Sequence, residues 1–261
     1  MKYFILLSLL VTIVLSSCDR RKEDVIQTTN SNSNSLFKFV NAYTSLTPSG
    51  AATPSGPAVD IYADNKKINA GAIAYGSVFP TPAGYASLPI ALGGAQTNIK
   101  VVLNRAGVSS PNADILYQAN YNFGFGSHTT MYLVDTLPYT NPSSPIIFTT
   151  EEDITAPKSE FLKIRFANMI PSTDTLEVFS KNLQTVILPG TLFKRSTKFF
   201  EMPVQRRNDT LQLRRVGTSL VLAELRAFNP TSERVYTVYS RGQIGAATGT
   251  RARTLASFTN K

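Results

Sequence analysis

No stretch of this 261-residue chain carries a clean helical period. What recurs is a short apolar run, alternating or continuous, rich in Val, Ile, Tyr, Phe and Thr and closed by Gly, Pro or Asn. Side chains that alternate with period two belong to strands with one buried face, so a chain with only this signal folds as sheets. The pattern predicts strands at 37–42, 58–63, 76–79, 84–92, 99–104, 115–119 and 129–134. It restarts at 161–168, 175–180, 197–204, 210–216, 219–228 and 234–240. Between the two sets the chain is Pro-rich and then acidic, through Glu151-Glu152-Asp153 to Ala156-Pro157, a composition that reads as a linker. The expected order is a β-domain over 36–138, a linker over 139–158 and a second β-domain over 159–261. Both are expected to be all-β and built of antiparallel strands.

The halves repeat one another in order. Lys38-Phe39-Val40-Asn41-Ala42 resembles Arg165-Phe166-Ala167-Asn168-Met169, and Val59-Asp60-Ile61-Tyr62 resembles Leu176-Glu177-Val178-Phe179. Tyr75–Phe79 is matched with Pro189–Phe193, Ile99–Leu103 with Leu211–Arg215, and Thr130–Val134 with Val235–Tyr239. In this reading Asp60 points outward from a strand buried on one face. Asn41 and Asn168 end their strands, where an amide side chain satisfies loose backbone groups. Tyr62, Phe79, Tyr132, Phe179, Phe193 and Tyr236 are expected in the cores. The Phe-Val-Asn-Ala, Pro-Ala-Val-Asp-Ile-Tyr, Tyr-Gly-Ser and Pro-Ala-Gly-Tyr segments, in 37–42, 57–62, 75–77 and 82–85, resemble domain-of-unknown-function family 4397. The likeness is good over 36–138 and loose over 159–255. It implies small immunoglobulin-like sandwiches in secreted or anchored bacterial proteins, and it carries over no catalytic residue.

The N-terminus reads as an address. Met1-Lys2 precedes an apolar run from Tyr3 to Leu15, too short for a bilayer span of roughly 20 residues and the length of a secretory core. Leu15-Ser16-Ser17-Cys18 resembles the lipobox of bacterial lipoproteins, and Cys18 is the one Cys in the chain. The expectation is a signal peptide over 1–17, acylated Cys18, and a polar stalk over 18–35. The charged tract after Cys18 resembles export tracts of surface lipoproteins in Bacteroidetes, although those are mostly acidic and this one is mixed. Localisation is expected at the cell envelope, with the outer membrane favoured on either its periplasmic or its surface face.

Little in the sequence carries chemistry. One Cys and one His exclude disulfide frameworks and His-rich metal sites. His128 beside Ser127 lacks a nucleophile elbow and reads as a turn residue. Asp60, Asp64 and Asn65, like Glu151-Glu152-Asp153, lack calcium-loop spacing. No catalytic residue, metal or cofactor is expected. The net charge of +9 is uneven, +2 over residues 1–150 and +7 over 151–261. The excess collects at Lys194, Arg195, Lys198, Arg206, Arg207, Arg214 and Arg215, and if 197–204 and 210–216 form a hairpin six or seven of these could share one sheet edge, with Arg206, Arg207, Arg214 and Arg215 the candidate ligand contacts. There they could hold an anionic ligand through guanidinium forks, or discourage edge-to-edge pairing. Asp135-Thr136-Leu137, Asp174-Thr175-Leu176 and Asp209-Thr210-Leu211 resemble an O-glycosylation acceptor pattern, making Thr136, Thr175 and Thr210 candidates. The expected function is non-catalytic: a lipid-anchored envelope protein that binds an anionic glycan or another envelope protein, or has a structural role, with no nucleic acid. The alternative is an accessory glycan-binding lipoprotein of an outer-membrane uptake system, using Tyr43, Tyr85, Tyr121 and Phe123 as an aromatic platform.

Overall fold

A computed structural model describes residues 34–44, 58–81, 84–89, 96–104, 110–112, 114–136, 145–205, 207–243, 246, 248–249 and 251–261. Cys18, the signal peptide, the stalk and Arg206 lie outside the described residues. The alternating runs become strands. The first set is β1 (Asn34–Asn41), β2 (Val59–Ala63), β3 (Lys66–Lys67), β4 (Val78–Phe79), β5 (Ala86–Pro89), β6 (Thr97–Leu103), β7 (Ile115–Tyr121), β8 (His128–Val134) and β9 (Ile146–Glu151). The second is β10 (Phe161–Asn168), β11 (Leu176–Ser180), β12 (Thr185–Thr191), β13 (Arg195–Ser196), β14 (Phe200–Pro203), β15 (Asp209–Arg215), β16 (Val221–Phe228), β17 (Val235–Arg241) and β18 (Thr254–Thr259).

Each set makes one four-stranded and one five-stranded sheet, and the two sets share one strand order. In the first, β3-β2-β6-β7 faces a sheet in which β4 and β5 both flank β1, followed by β8 and β9. In the second, β12-β11-β15-β16 faces a sheet in which β13 and β14 flank β10, followed by β17 and β18. The fold is all-β with two tandem sandwiches, as the alternation predicts. Pairing is antiparallel except for β1 with β8 and β10 with β17, which are parallel. A parallel pair needs a long connection, and in both cases the intervening strands of the sandwich supply it.

The stretch expected to be a linker supplies a strand. Ile146-Ile-Phe-Thr-Thr-Glu151 pairs along β8, from Val134 opposite Ile146 to Thr129 opposite Glu151. Its β-branched and aromatic residues outweigh the Pro-rich sequence ahead of them.

Shared topology also corrects the register of two matched segments. Asn41 O accepts from Gly76 N at 2.7 Å, and Asn168 O accepts from Lys194 N at 2.9 Å. Tyr75–Phe79 therefore corresponds to residues 193–197, four positions beyond the match read from sequence. On the other flank Lys38 lies opposite Thr130 and Arg165 opposite Thr237, so Tyr132 corresponds to Tyr239, a shift of two. A slip of an even number keeps every side chain on its face, so alternation alone does not detect it. The asparagine reading is met. Asn41 Nδ2 donates to Ile73 O and Oδ1 accepts from Tyr43 N; Asn168 does the same with Thr191 O and Ile170 N.

Within each sandwich, period two fills the core. Phe37, Phe39, Val59, Ile61, Ile99, Val101, Met131 and Leu133 form the first. Leu162, Ile164, Phe166, Leu176, Val178, Leu211, Leu213 and Val238 form the second. The intervening residues of β1, β8, β10 and β17 are not solvated. Val40, Ala42, Tyr132, Val134, Ala167, Met169 and Tyr239 join Phe193 and Phe258 in a third buried cluster. The two five-stranded sheets thus pack on one another, and these strands are buried on both faces as parallel-paired strands commonly are. Tyr239 OH donates to Gly76 O at 3.1 Å across this layer. Gln243 Nε2 reaches Thr44 Oγ1, which donates to Asp135.

Asp60 departs from the outward role read for it. It is 2% exposed, paired with Lys67 at 2.8 Å, and accepts from Asn69 and Asn104. Burial pushes its carboxyl up, but the bonds from Lys67, Asn104 and Asn69 outweigh this and hold it below the usual range. All of its neighbours are structural fasteners.

Candidate functional site

The layer between the sandwiches carries the strongest electrostatics. Arg165, on β10, forms a buried ion pair with Glu152, which follows β9. Arg165 also donates to Thr150 Oγ1 at 2.9 Å and Thr237 Oγ1 at 3.1 Å, and its guanidinium lies 4.6 Å from the centre of the Phe199 ring. Glu152 accepts further bonds from Thr150 Oγ1 at 2.8 Å and Asn260 Nδ2 at 3.1 Å. Glu152 was expected in a solvated linker; it is instead the central acid of the domain contact.

Lys38 occupies on β1 the place Arg165 has on β10, and it too lies over an aromatic ring. Its Nζ is 5.0 Å from the centre of Tyr85 and 5.3 Å from that of Phe258, in the other sandwich. Lys38 is fully buried, and its ammonium finds no acceptor among the described residues. Burial pulls its pKa down to about 8, with Glu152 opposing the shift. The two cations share one carboxylate because the position matching Glu152, after β18, is the neutral Asn260. A sequence signal for this layer existed. Lys38 and Arg165 interrupt stretches in which alternate residues on both faces are apolar.

Beside this layer runs an open cleft. One wall is β9; the other is the segment from Leu192 to Phe200 of the second sandwich. A volume of about 600 Å³ is bounded by Phe148, Thr149, Glu151, Arg195, Lys198 and Phe199. A second, of about 510 Å³, shares Phe148, Thr149 and Arg195 with it and adds Ile147 and Lys194. A third, of about 580 Å³, continues past Ile146 to Thr136 and Ser172. Lys194, Arg195 and Lys198 are exposed on this wall, and none has a carboxylate within ion-pair distance among the described residues.

The arginines read as one edge are dispersed. The 197–204 and 210–216 segments do not form a hairpin, because β14 pairs β10 while β15 lies between β11 and β16 in the opposite sheet. β15 is an interior strand and has no free edge. Arg214 stacks 3.4 Å from the Phe179 ring centre, and Arg215 pairs with Asp174 at 2.7 Å. Arg207 is exposed at the other end of β15, about 20 Å away along a seven-residue strand. Of the residues named for an aromatic platform, three are half-buried and one is buried. Tyr43 is buried, Tyr121 and Phe123 stack against the first core, and Tyr85 is held between Lys38 and His128.

His128 opens β8 with its ring edge-on to Tyr85 at 5.0 Å, and burial lowers its pKa. Ser127 Oγ donates instead to Gly124 O at 2.7 Å. Of the Asp-Thr-Leu segments, each aspartate holds a local structure. Asp135 accepts from Thr44, Asp209 from Ser180 and Asn182, and Asp174 from Arg215. Thr136, Thr175 and Thr210 are half-buried. Among the described residues no helix is long and apolar enough to cross a membrane, and no three His, Cys, Asp or Glu side chains are grouped to hold a metal.

The profile of the family described as a domain of unknown function (DUF4397) matches residues 50–179. The match begins ahead of β2 and ends within β11, so it leaves out β1 and crosses the layer between the sandwiches. No curated protein matches the chain.

Proposed function

We propose that this chain, which resembles the DUF4397 family over residues 50–179, is a lipid-anchored cell-envelope protein with a non-catalytic binding role. The observation that carries the binding reading is the cleft along β9. A buried ion pair and an apolar layer fix its two walls, so the surface is preformed and loses little conformational freedom on binding a partner. Arg165 and Glu152 of the layer are engaged with one another, which leaves the exposed residues of the cleft for contact. The anchoring half rests on the Leu-Ser-Ser-Cys18 sequence and the polar residues after it. Acylation there would tether the protein to a membrane, with the outer membrane favoured, without a spanning segment.

Palmitate labelling and fractionation of cells expressing the full chain test the anchor. Wild type is expected to incorporate label and sediment with membranes, and Cys18→Ala to lose both. Label retained by Cys18→Ala would refute it. Thr136, Thr175 and Thr210 remain candidates for O-glycosylation within this reading, since all three are half-buried and none is enclosed. Mass spectrometry of the native protein is expected to find hexose-bearing peptides at these threonines. Unmodified peptides at all three would remove the idea.

A further inference from the structure

β9 is the last strand of its sheet, so among the described residues one of its edges faces no other strand. Glu152 N donates to His128 O at 2.8 Å, which fixes the alternation: even-numbered residues of β9 bond to β8, and Ile147, Thr149 and Glu151 turn their N–H and C=O groups outward. Open edges are normally guarded by lysine, proline or a bulge. β9 has none of these, and from Ile146 to Thr150 it carries no charge. Its open edge lies along the cleft, whose far wall presents Lys194, Arg195 and Lys198.

We propose that this edge receives an extended acidic segment of a partner protein as an additional strand. The added chain would satisfy the outward groups of Ile147 and Thr149, and alternate side chains would point across the cleft toward Lys194 and Arg195. Charge complementarity selects this occupant. A second copy adding β9 to β9 would bring two basic walls together in a chain that already carries +9. Glu151 at the end of β9 adds polarity: directly opposite residues share a face, and Ile146 and Phe148 face the second sandwich while Ile147 faces the first core, so carboxylates belong opposite Ile146, Phe148 and Thr150, and an uncharged or basic residue belongs opposite Glu151. This names the partner for the binding role proposed above and rests on that role, while palmitate labelling tests the anchor separately.

The test uses the full-length chain in detergent and a fluorescent nine-residue peptide of alternating Glu and Val. Fluorescence anisotropy is expected to show saturable binding that weakens at least tenfold in Arg195→Glu/Lys198→Glu and in Thr149→Pro. The proline removes only an outward N–H, which an edge strand tolerates. The same peptide with Lys in place of Glu is expected not to bind. In wild type, hydrogen exchange at the amides of Ile147, Thr149 and Glu151 is expected to slow when the Glu peptide is added, a readout that holds even if Thr149→Pro folds poorly. No binding of the Glu peptide, equal binding by a folded Thr149→Pro, unchanged exchange at saturation, or self-association through β9 without peptide would each overturn the proposal.

Discussion

Arg165→Leu is expected to destabilise the protein by about 3–5 kcal/mol, because it leaves Glu152 buried without its cation. Glu152 has Asn260 and Thr150 to solvate it, but these neutral groups do not replace a guanidinium in a layer where both side chains of the pair are 3% exposed or less. The loss also removes the Thr237 and Thr150 bonds and the stack on Phe199. Thermal denaturation followed by circular dichroism should show the midpoint falling by roughly 10 °C. Arg165→Met combined with Glu152→Met is expected to regain most of that loss, since the desolvation of both charges disappears together. A single variant within 1 kcal/mol of wild type would mean that water reaches this pair and that the sandwiches are not locked as described.

Lys38→Met is expected to act in the opposite direction. The native pKa of Lys38 is about 8, against a usual value of 10.5. Below pH 8 both folded and unfolded chains carry the proton, and the folded state bears the full cost of a buried ammonium, about 3 kcal/mol. Between pH 8 and 10.5 the unfolded chain binds more protons than the native one, so this cost falls and wild-type stability rises with pH. A methionine fills the space between Tyr85 and Phe258 without a charge. It should stabilise the protein by about 1–3 kcal/mol at pH 7, with the advantage shrinking as pH approaches 10.5. Urea denaturation of both proteins from pH 6 to 10 measures this difference. An advantage that is constant across the range, or a loss at pH 7, would show that the ammonium is solvated or paired in the folded protein.

Much of the fold was legible because period-two alternation is a local property. The pairing of Phe37 and Phe39 with Val59 and Ile61 in one core follows from it, as do the asparagine fasteners at Asn41 and Asn168. The errors share one cause. Asp60 and Glu152 are acidic residues whose burial, like that of Lys38 and Arg165, depends on strands far away in sequence, and composition favours exposure for such residues. β9 was hidden for a related reason. Prolines ahead of it suggested a boundary, and only pairing with β8 gives Ile146–Glu151 a place.

The sequence by itself determined that this chain folds as sheets in two repeated halves, with Cys18 as the sole candidate for lipid attachment. Alternation within each strand states which residues share a face, and the repeat states that two such units follow one another. Tertiary structure decided which face meets which. It placed the outer faces of β1, β8, β10 and β17 together, converted Arg165 and Glu152 into an internal pair, and took away the free edge expected for Arg214 and Arg215 by putting β15 in the middle of a sheet. Strand order and the packing of one sandwich on the other are non-local, and period two is the same for an interior strand and an edge. For that reason the open edge of β9, facing Lys194, Arg195 and Lys198, became visible only once the two sandwiches were assembled.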